Sequence, residues 1–190
     1  MITPIRTDPA IVCAVLLYLP PLVLIAVIDL EHRSVMIETL LATVLIVIAE
    51  QAINPRYPLW LILQGAEYAF IATVGIYLLG IVFGGLIQLI SGRRIGRTIF
   101  GFGDVEIATL GGLILGTSLL IPALFIMIFS GGIGSLLFIL LRKRRRGKYR
   151  RFSAIPYGPF ICLGVAVALY LPNIAVIVTV LVFGYNPFGG

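Results

Sequence analysis

Charged side chains are scarce in this sequence: Asp, Glu, Lys and Arg make up 12% of the 190 residues, whereas 60% are hydrophobic. An ordinary soluble domain carries about 25% charged and about 45–50% apolar residues. With so little charge the chain cannot cover a globule with polar surface, which excludes a soluble enzyme, a disordered protein and a fibrous repeat. The composition therefore predicts a membrane protein, and its length allows roughly five to seven spans of about 20 residues.

Cysteine and histidine are also rare, with two cysteines and one histidine in the sequence. Cys13 and Cys162 each stand alone within an apolar run, so a zinc knuckle built from C-x-x-C pairs is excluded. We expect both to be small apolar residues outside any disulfide, and we predict neither a metal site nor a cofactor. The length leaves no room for a second soluble domain, so we predict one transmembrane domain over residues 1–190.

Long apolar runs, separated by short charged or turn segments, predict an all-α polytopic membrane helix bundle of about six transmembrane helices. Glu67 and the length of the third run predict an interfacial piece over residues 59–64 before the third span, and Gly116 begins a predicted break after the fourth span. Pro20 and Pro21 predict a kink in the first span, and Pro172 predicts a kink or an end in the last one. The spacings Gly80-x-x-x-Gly84 and Gly112-x-x-x-Gly116 predict close approach of helix backbones. The predicted spans cover residues 10–28, 35–53, 66–90, 104–116 and 119–141, and a last one begins near Pro159.

The Lys and Arg residues of the short loops orient these spans. Residues 30–34, 91–103 and 142–153 carry twelve of them, whereas the opposite side carries only Arg6 and Arg56. This asymmetry places the three loops in the cytoplasm and both termini outside, in a multi-pass protein of the inner (cytoplasmic) membrane. The basic run from Arg142 to Arg151 then predicts a contact with anionic lipids rather than with nucleic acid.

Acidic residues within apolar helices are costly and invite a functional explanation. Asp29 ends the first span and Asp104 begins the fourth, so both lie on the cytoplasmic side at similar depth, whereas Glu50 and Glu67 fall at outer helix ends where water can solvate them. Two neighbouring carboxylates share a proton: one can activate water while the other protonates a scissile carbonyl. The alternative for Asp104 is an N-capping residue of a glycine turn.

Three segments resemble the type IV prepilin peptidases, in that family's order. Residues 26–33 are similar to its first aspartate segment, residues 101–105 to its GxGD segment, and residues 155–160 to the proline-glycine motif that opens its last helix. The resemblance covers about residues 15–170 and implies an intramembrane aspartic protease with Asp29 and Asp104 as its catalytic pair. It also implies that five residues bind substrate or shape the loops around it: Gly101, Gly103, Pro156, Gly158 and Pro159.

The substrates implied by this resemblance are prepilins or pseudopilins, cut on the cytoplasmic side just before their hydrophobic helix. The sequence departs from the family at Met36 and Ile37, where Pro-Asn or Pro-Asp is common, and at Glu106, where a basic residue is common. The paired cysteines of the larger members are missing, and we therefore expect no methyltransferase activity.

Two other functions compete with the peptidase. A non-catalytic membrane scaffold of the same fold is conceivable because of the departures at Met36, Ile37 and Glu106. A small ion- or proton-coupled transporter could use the acidic residues as a cation path, but the outer halves of the helices offer little polarity beyond Glu50 and Glu67. The sequence leaves open the particular pilus or secretion system and the oligomeric state.

Overall fold

The computed structural model describes residues 9–32, 34–53, 58–91, 101–146 and 157–183. Over these residues the chain is all-α, as predicted, and its backbone hydrogen bonds are satisfied within helices, as an apolar solvent demands. The helices are α1 (Pro9–His32), α2 (Ile37–Ile53), α3 (Leu59–Ser91), α4 (Phe102–Arg146), α5 (Gly158–Tyr170) and α6 (Pro172–Phe183).

α4 is two helices joined at Gly116, which has φ 64° and ψ −170°. L-residues with a side chain rarely adopt this positive φ, whereas glycine does so readily, and the predicted break at this point is confirmed. We call residues 102–115 the first limb of α4 and residues 117–146 its second limb. Ala108 and Leu115 of the first limb line one small cavity together with Leu120 and Met127 of the second, so the two limbs run antiparallel.

Two other predictions of helix boundaries meet different outcomes. α3 is continuous from Leu59, so the predicted interfacial piece over residues 59–64 is wrong. Glu67 is exposed and demands no break, because a carboxylate near a helix end can reach the polar layer without interrupting the backbone. At the other end of the chain, Leu171 has non-helical dihedral angles and separates α5 from α6, in agreement with the interruption expected at Pro172.

Glycines bring the central helices into close contact. A Cβ atom on Gly164 of α5 would lie 2.7 Å from the carbonyl oxygen of Ala123, and one on Gly65 of α3 would lie 2.5 Å from that of Gly112. Close backbone approach through small residues is the usual way in which helices pack in lipid. Gly112 therefore takes part in the packing expected of a small-xxx-small motif, whereas a Cβ on Gly80 or Gly84 would meet nothing within 4 Å.

α1 packs against α5 and α2 through one buried face. Its buried residues recur at helical spacing and are Tyr18, Leu22, Ile25 and Asp29. Pro20 and Pro21 lie inside this helix without ending it. The arrangement directs Asp29 toward the interior of the bundle.

By length and composition alone, the described segments Leu59–Ile90 and Phe102–Leu137 could each cross a membrane, but the second of them folds back at Gly116. Gly158–Tyr170 is apolar but shorter. Much of the surface of these segments consists of exposed large hydrophobic side chains, as expected where lipid replaces water. The count of about six spans and the single domain over residues 1–190 stay predictions.

Candidate active site

Asp29 lies in the last turn of α1 and is only 6% exposed. Its Oδ2 atom accepts a hydrogen bond of 3.0 Å from the backbone N–H of Gly158, the first residue of α5. The first N–H groups of a helix have no partner within it and carry a partial positive charge, so this position suits a carboxylate. The contact joins parts of the chain that are 129 positions apart.

Asp104 lies in the first turn of α4 and is 9% exposed. Its Oδ2 atom accepts a hydrogen bond of 2.9 Å from the backbone N–H of Gly101, and its own N–H donates to the Gly101 carbonyl at 3.2 Å. Asp104 is thus the third residue of the helix, and its carboxylate reaches back to the residue before the helix, whereas an N-cap side chain accepts from N–H groups that follow it. The alternative raised by the sequence is therefore wrong, because the N-cap position belongs to Gly101 and not to Asp104. Asp104 is also nearly buried, which a simple surface cap would not require.

The structure brings Asp29 and Asp104 together. Their carboxylates are close enough for the two charges to interact, although they come from helices far apart in sequence. Asp29 is held by the first N–H group of α5, and Asp104 lies in the first turn of α4. The site therefore lies where the end of α1 meets the beginnings of α4 and α5.

The predicted loop-shaping glycines have different surroundings. A Cβ atom on Gly158 would lie 2.5 Å from the Asp29 Oδ2 atom, and one on Gly103 would lie 2.6 Å from the Val35 side chain. A Cβ on Gly101 would have only an ordinary contact of 3.5 Å with the Asp104 carboxylate. Among the described glycines a positive φ occurs at Gly116 and not at Gly101 or Gly103, and at Gly103 a side chain would collide with Val35.

Two prolines complete the set predicted from the sequence. Pro159 lies in the first turn of α5, where the N–H group that proline lacks would have no helical partner. Its fixed φ favours the helical conformation that starts here, directly after the amide that holds Asp29. Pro156 lies outside the described residues.

Tyr157, to which the sequence analysis gave no role, joins the site to the second limb of α4. Its hydroxyl donates to the Met127 carbonyl at 3.4 Å, and its ring packs against Gly131 and, with a centroid distance of 5.9 Å, against Phe160. The Tyr157 carbonyl in turn accepts from the N–H groups of Phe160 and Ile161 and so begins α5. The signal in the sequence was its position next to Gly158, but nothing in the sequence places Met127 opposite.

The other acidic residues at the helix ends near the site are exposed. They include Glu38 and Glu106, and Glu31 lies 3.8 Å from His32 in an exposed ion pair. Within the described ranges no three His, Cys, Asp or Glu side chains are grouped as metal ligands.

The beginning of α4 lies opposite the middle of α3, because the rings of Tyr77 and Phe102 meet edge to face with centroids 6.0 Å apart. From Leu78 onward α3 continues to Ser91, a length of about 20 Å at 1.5 Å per residue. Its described large apolar side chains there are exposed. Measured along α3, the aspartates therefore lie well before the Ser91 end of this helix rather than level with that end.

Buried paired carboxylates at the ends of apolar helices are the kind of site that a membrane protease of the aspartic type requires. The model of the type IV leader peptidase family matches residues 14–136, a range that includes both Asp29 and Asp104. The match covers more than half of the chain, which therefore belongs to this family and is a membrane protein of the leader-peptidase type. No curated protein and no solved structure matches the chain.

Proposed function

We propose that this protein is an aspartic endopeptidase that removes the leader peptide of prepilin-like or pseudopilin-like proteins at the cytoplasmic face of the membrane. The observation that supports this most directly is the pair Asp29 and Asp104, two nearly buried carboxylates that each accept a backbone N–H and lie close enough for their charges to interact. A family of leader peptidases supplies the reaction class. The two aspartates supply a chemistry that needs no covalent intermediate.

The proposed reaction uses the two carboxylates as one acid–base unit. The ionised member takes a proton from a water molecule while the protonated member donates one to the scissile carbonyl oxygen. The water oxygen attacks the carbonyl carbon, and the tetrahedral intermediate collapses as the amide nitrogen takes up a proton and leaves as the new amine. Neither role is assigned to one residue, because such a pair titrates as a unit.

The exposed Gly101 is the proposed point of approach for the substrate. A glycine beside the Asp104 carboxylate leaves room for an extended peptide to come close to the catalytic oxygens. The hydrophobic helix of the substrate would stay in the lipid, and its short basic leader would stay on the cytoplasmic side. Because α3 extends beyond the level of the site, the leader–helix junction would have to enter a recess beside it.

The proposed orientation is that of a multi-pass inner-membrane protein with both termini outside and the site facing the cytoplasm. The basic run from Arg142 to Arg151 would then meet anionic lipid headgroups on the cytoplasmic side. In a background without the native cysteines, a membrane-impermeant maleimide applied to intact cells should label Asn54→Cys and not Gly147→Cys. Ready labelling at position 147 from outside would contradict this orientation.

The test of the proposed activity is co-expression with a pilin-like substrate. The substrate should have a short basic leader, a glycine, and a hydrophobic helix with a glutamate a few residues in. We expect a shortened product whose new N-terminus follows the glycine, formed equally well with a metal chelator or a serine-protease reagent present. Absence of cleavage across several pilin-like substrates would count against the peptidase and in favour of a non-catalytic scaffold of the same fold.

A further inference from the structure

Far from the aspartates, α1 and α2 share a buried hydrogen bond that the proposed reaction does not use. The Tyr18 hydroxyl donates to the Glu50 carboxylate, and the two residues are 1% and 8% exposed. The sequence analysis expected Glu50 to be solvated at the outer end of its helix, and this prediction is wrong. A carboxylate buried among apolar helices needs a donor, and a residue 32 positions away supplies one.

Tyr18 lies on the same face of α1 as Asp29. Eleven residues are close to three helical turns, so the two side chains point in nearly the same direction about 16 Å apart along the axis. The buried side chains of Leu22 and Ile25 lie between them. A rotation of α1 that removed Tyr18 from Glu50 would therefore also turn Asp29 away from the Gly158 N–H group.

Packing against lipid does little to choose one rotation of an apolar helix over another, because lipid tails are as apolar as leucine. A buried polar pair does favour one rotation, because in a wrong register the carboxylate lacks this donor. Fixing the register of a helix is the best-attested use of such pairs. We infer that Tyr18 and Glu50 are positioning residues that fix α1 against α2 and thereby place Asp29 for catalysis. The catalytic part of this inference rests on the proposed peptidase activity.

Three substitutions in the full-length protein test the pair. Tyr18→Phe removes the donor and keeps the ring, Glu50→Leu removes the acceptor, and Glu50→Gln keeps an oxygen that the tyrosine can reach. We expect Tyr18→Phe and Glu50→Leu to lower kcat by about tenfold to a hundredfold, with little change in KM. A small misplacement of catalytic groups has an effect of this size. Glu50→Gln should stay near the wild-type kcat, and Tyr18→Phe/Glu50→Leu should be hardly worse than either single change.

Thr43→Val is the matched control on α2. Thr43 is fully buried like the pair, but its hydroxyl donates within its own helix to the Thr39 carbonyl at 2.7 Å. Valine has nearly the same shape, so this variant loses a buried hydrogen bond without loosening α1 from α2. Its kcat should equal that of the wild type.

A second measurement does not depend on peptidase activity. Cys162 on α5 is a buried free cysteine one helical turn from Gly158, whose N–H group binds Asp29, so a displaced α1 should uncover it. In a Cys13→Ala background, N-ethylmaleimide should label Cys162 several-fold faster in Tyr18→Phe and Glu50→Leu than in the wild type, and no faster in Thr43→Val.

If Tyr18→Phe and Glu50→Leu lose thermal stability alone, with kcat and Cys162 protection unchanged, the positioning role is refuted. If the wild type cleaves nothing but the labelling pattern holds, the peptidase proposal fails and the structural role of the pair stands.

Discussion

Asp29→Asn and Asp104→Asn should each abolish cleavage of a pilin-like substrate. Asparagine preserves the volume of the side chain and can still accept from the Gly158 or Gly101 N–H group, so the fold should be kept. It can neither share a proton with the remaining carboxylate nor take one from water at neutral pH. Because the proposed mechanism uses the two residues as one unit, the double variant should be hardly worse than either single variant.

The measurement is the fraction of co-expressed substrate that acquires the new N-terminus, with the amount of each variant in the membrane measured in parallel. Glu106→Gln is the matched control, because it neutralises an exposed acid two positions from Asp104 and should leave cleavage intact. Full processing by both Asn variants would defeat the carboxylate-pair mechanism. Loss of processing in Glu106→Gln as well would show that charge near the site, rather than the pair alone, is required.

The parts of the site that the sequence predicted are those with a strong local signal. Asp29 and Asp104 stand out because acids are rare in apolar helices, and the topology alone put them on one side. The break at Gly116 was predictable because glycine followed by threonine and serine interrupts an apolar run. Both predictions rested on local composition. In the structure both aspartates are nearly buried, and α4 breaks at Gly116.

The features that the sequence did not predict depend on partners distant in the chain. Glu50 was expected in water because its own neighbourhood ends a helix, but Tyr18 on α1 supplies a buried donor. The contact of Tyr157 with Met127 spans 30 positions and brings the start of α5 beside the second limb of α4. No periodicity within one helix encodes such a contact.

Glu67 and Gly80 show the opposite error, in which a local signal was given too much weight. An acid within an apolar run predicted a break in α3, yet the helix is continuous because the exposed side chain can be solvated without one. The small-residue spacing of Gly80 and Gly84 predicted helix packing, yet a Cβ on either would meet nothing within 4 Å in the described chain. A spacing motif permits close approach but does not specify which helix approaches.

Gly158→Ala should reduce cleavage by about a hundredfold, as expected when a catalytic group moves by about 1 Å. The added methyl group would lie 2.5 Å from the Oδ2 atom and 2.8 Å from the Cγ atom of Asp29, closer than real Cβ contacts allow. Either Asp29 or the first turn of α5 must shift. In both cases the hydrogen bond from the Gly158 N–H group is lengthened or lost, and Asp29 no longer meets Asp104 in the same geometry.

The matched control for Gly158→Ala is Gly132→Ala. A Cβ atom at Gly132 would meet nothing within 4 Å, and alanine favours a helix more than glycine does, so this variant should keep full activity and equal or greater stability. Initial cleavage rates of the purified variants, together with their thermal melting in detergent, separate a misplaced aspartate from a failure to fold. A Gly158→Ala protein that cleaves at the wild-type rate would show that catalysis does not require Asp29 to be held by the start of α5.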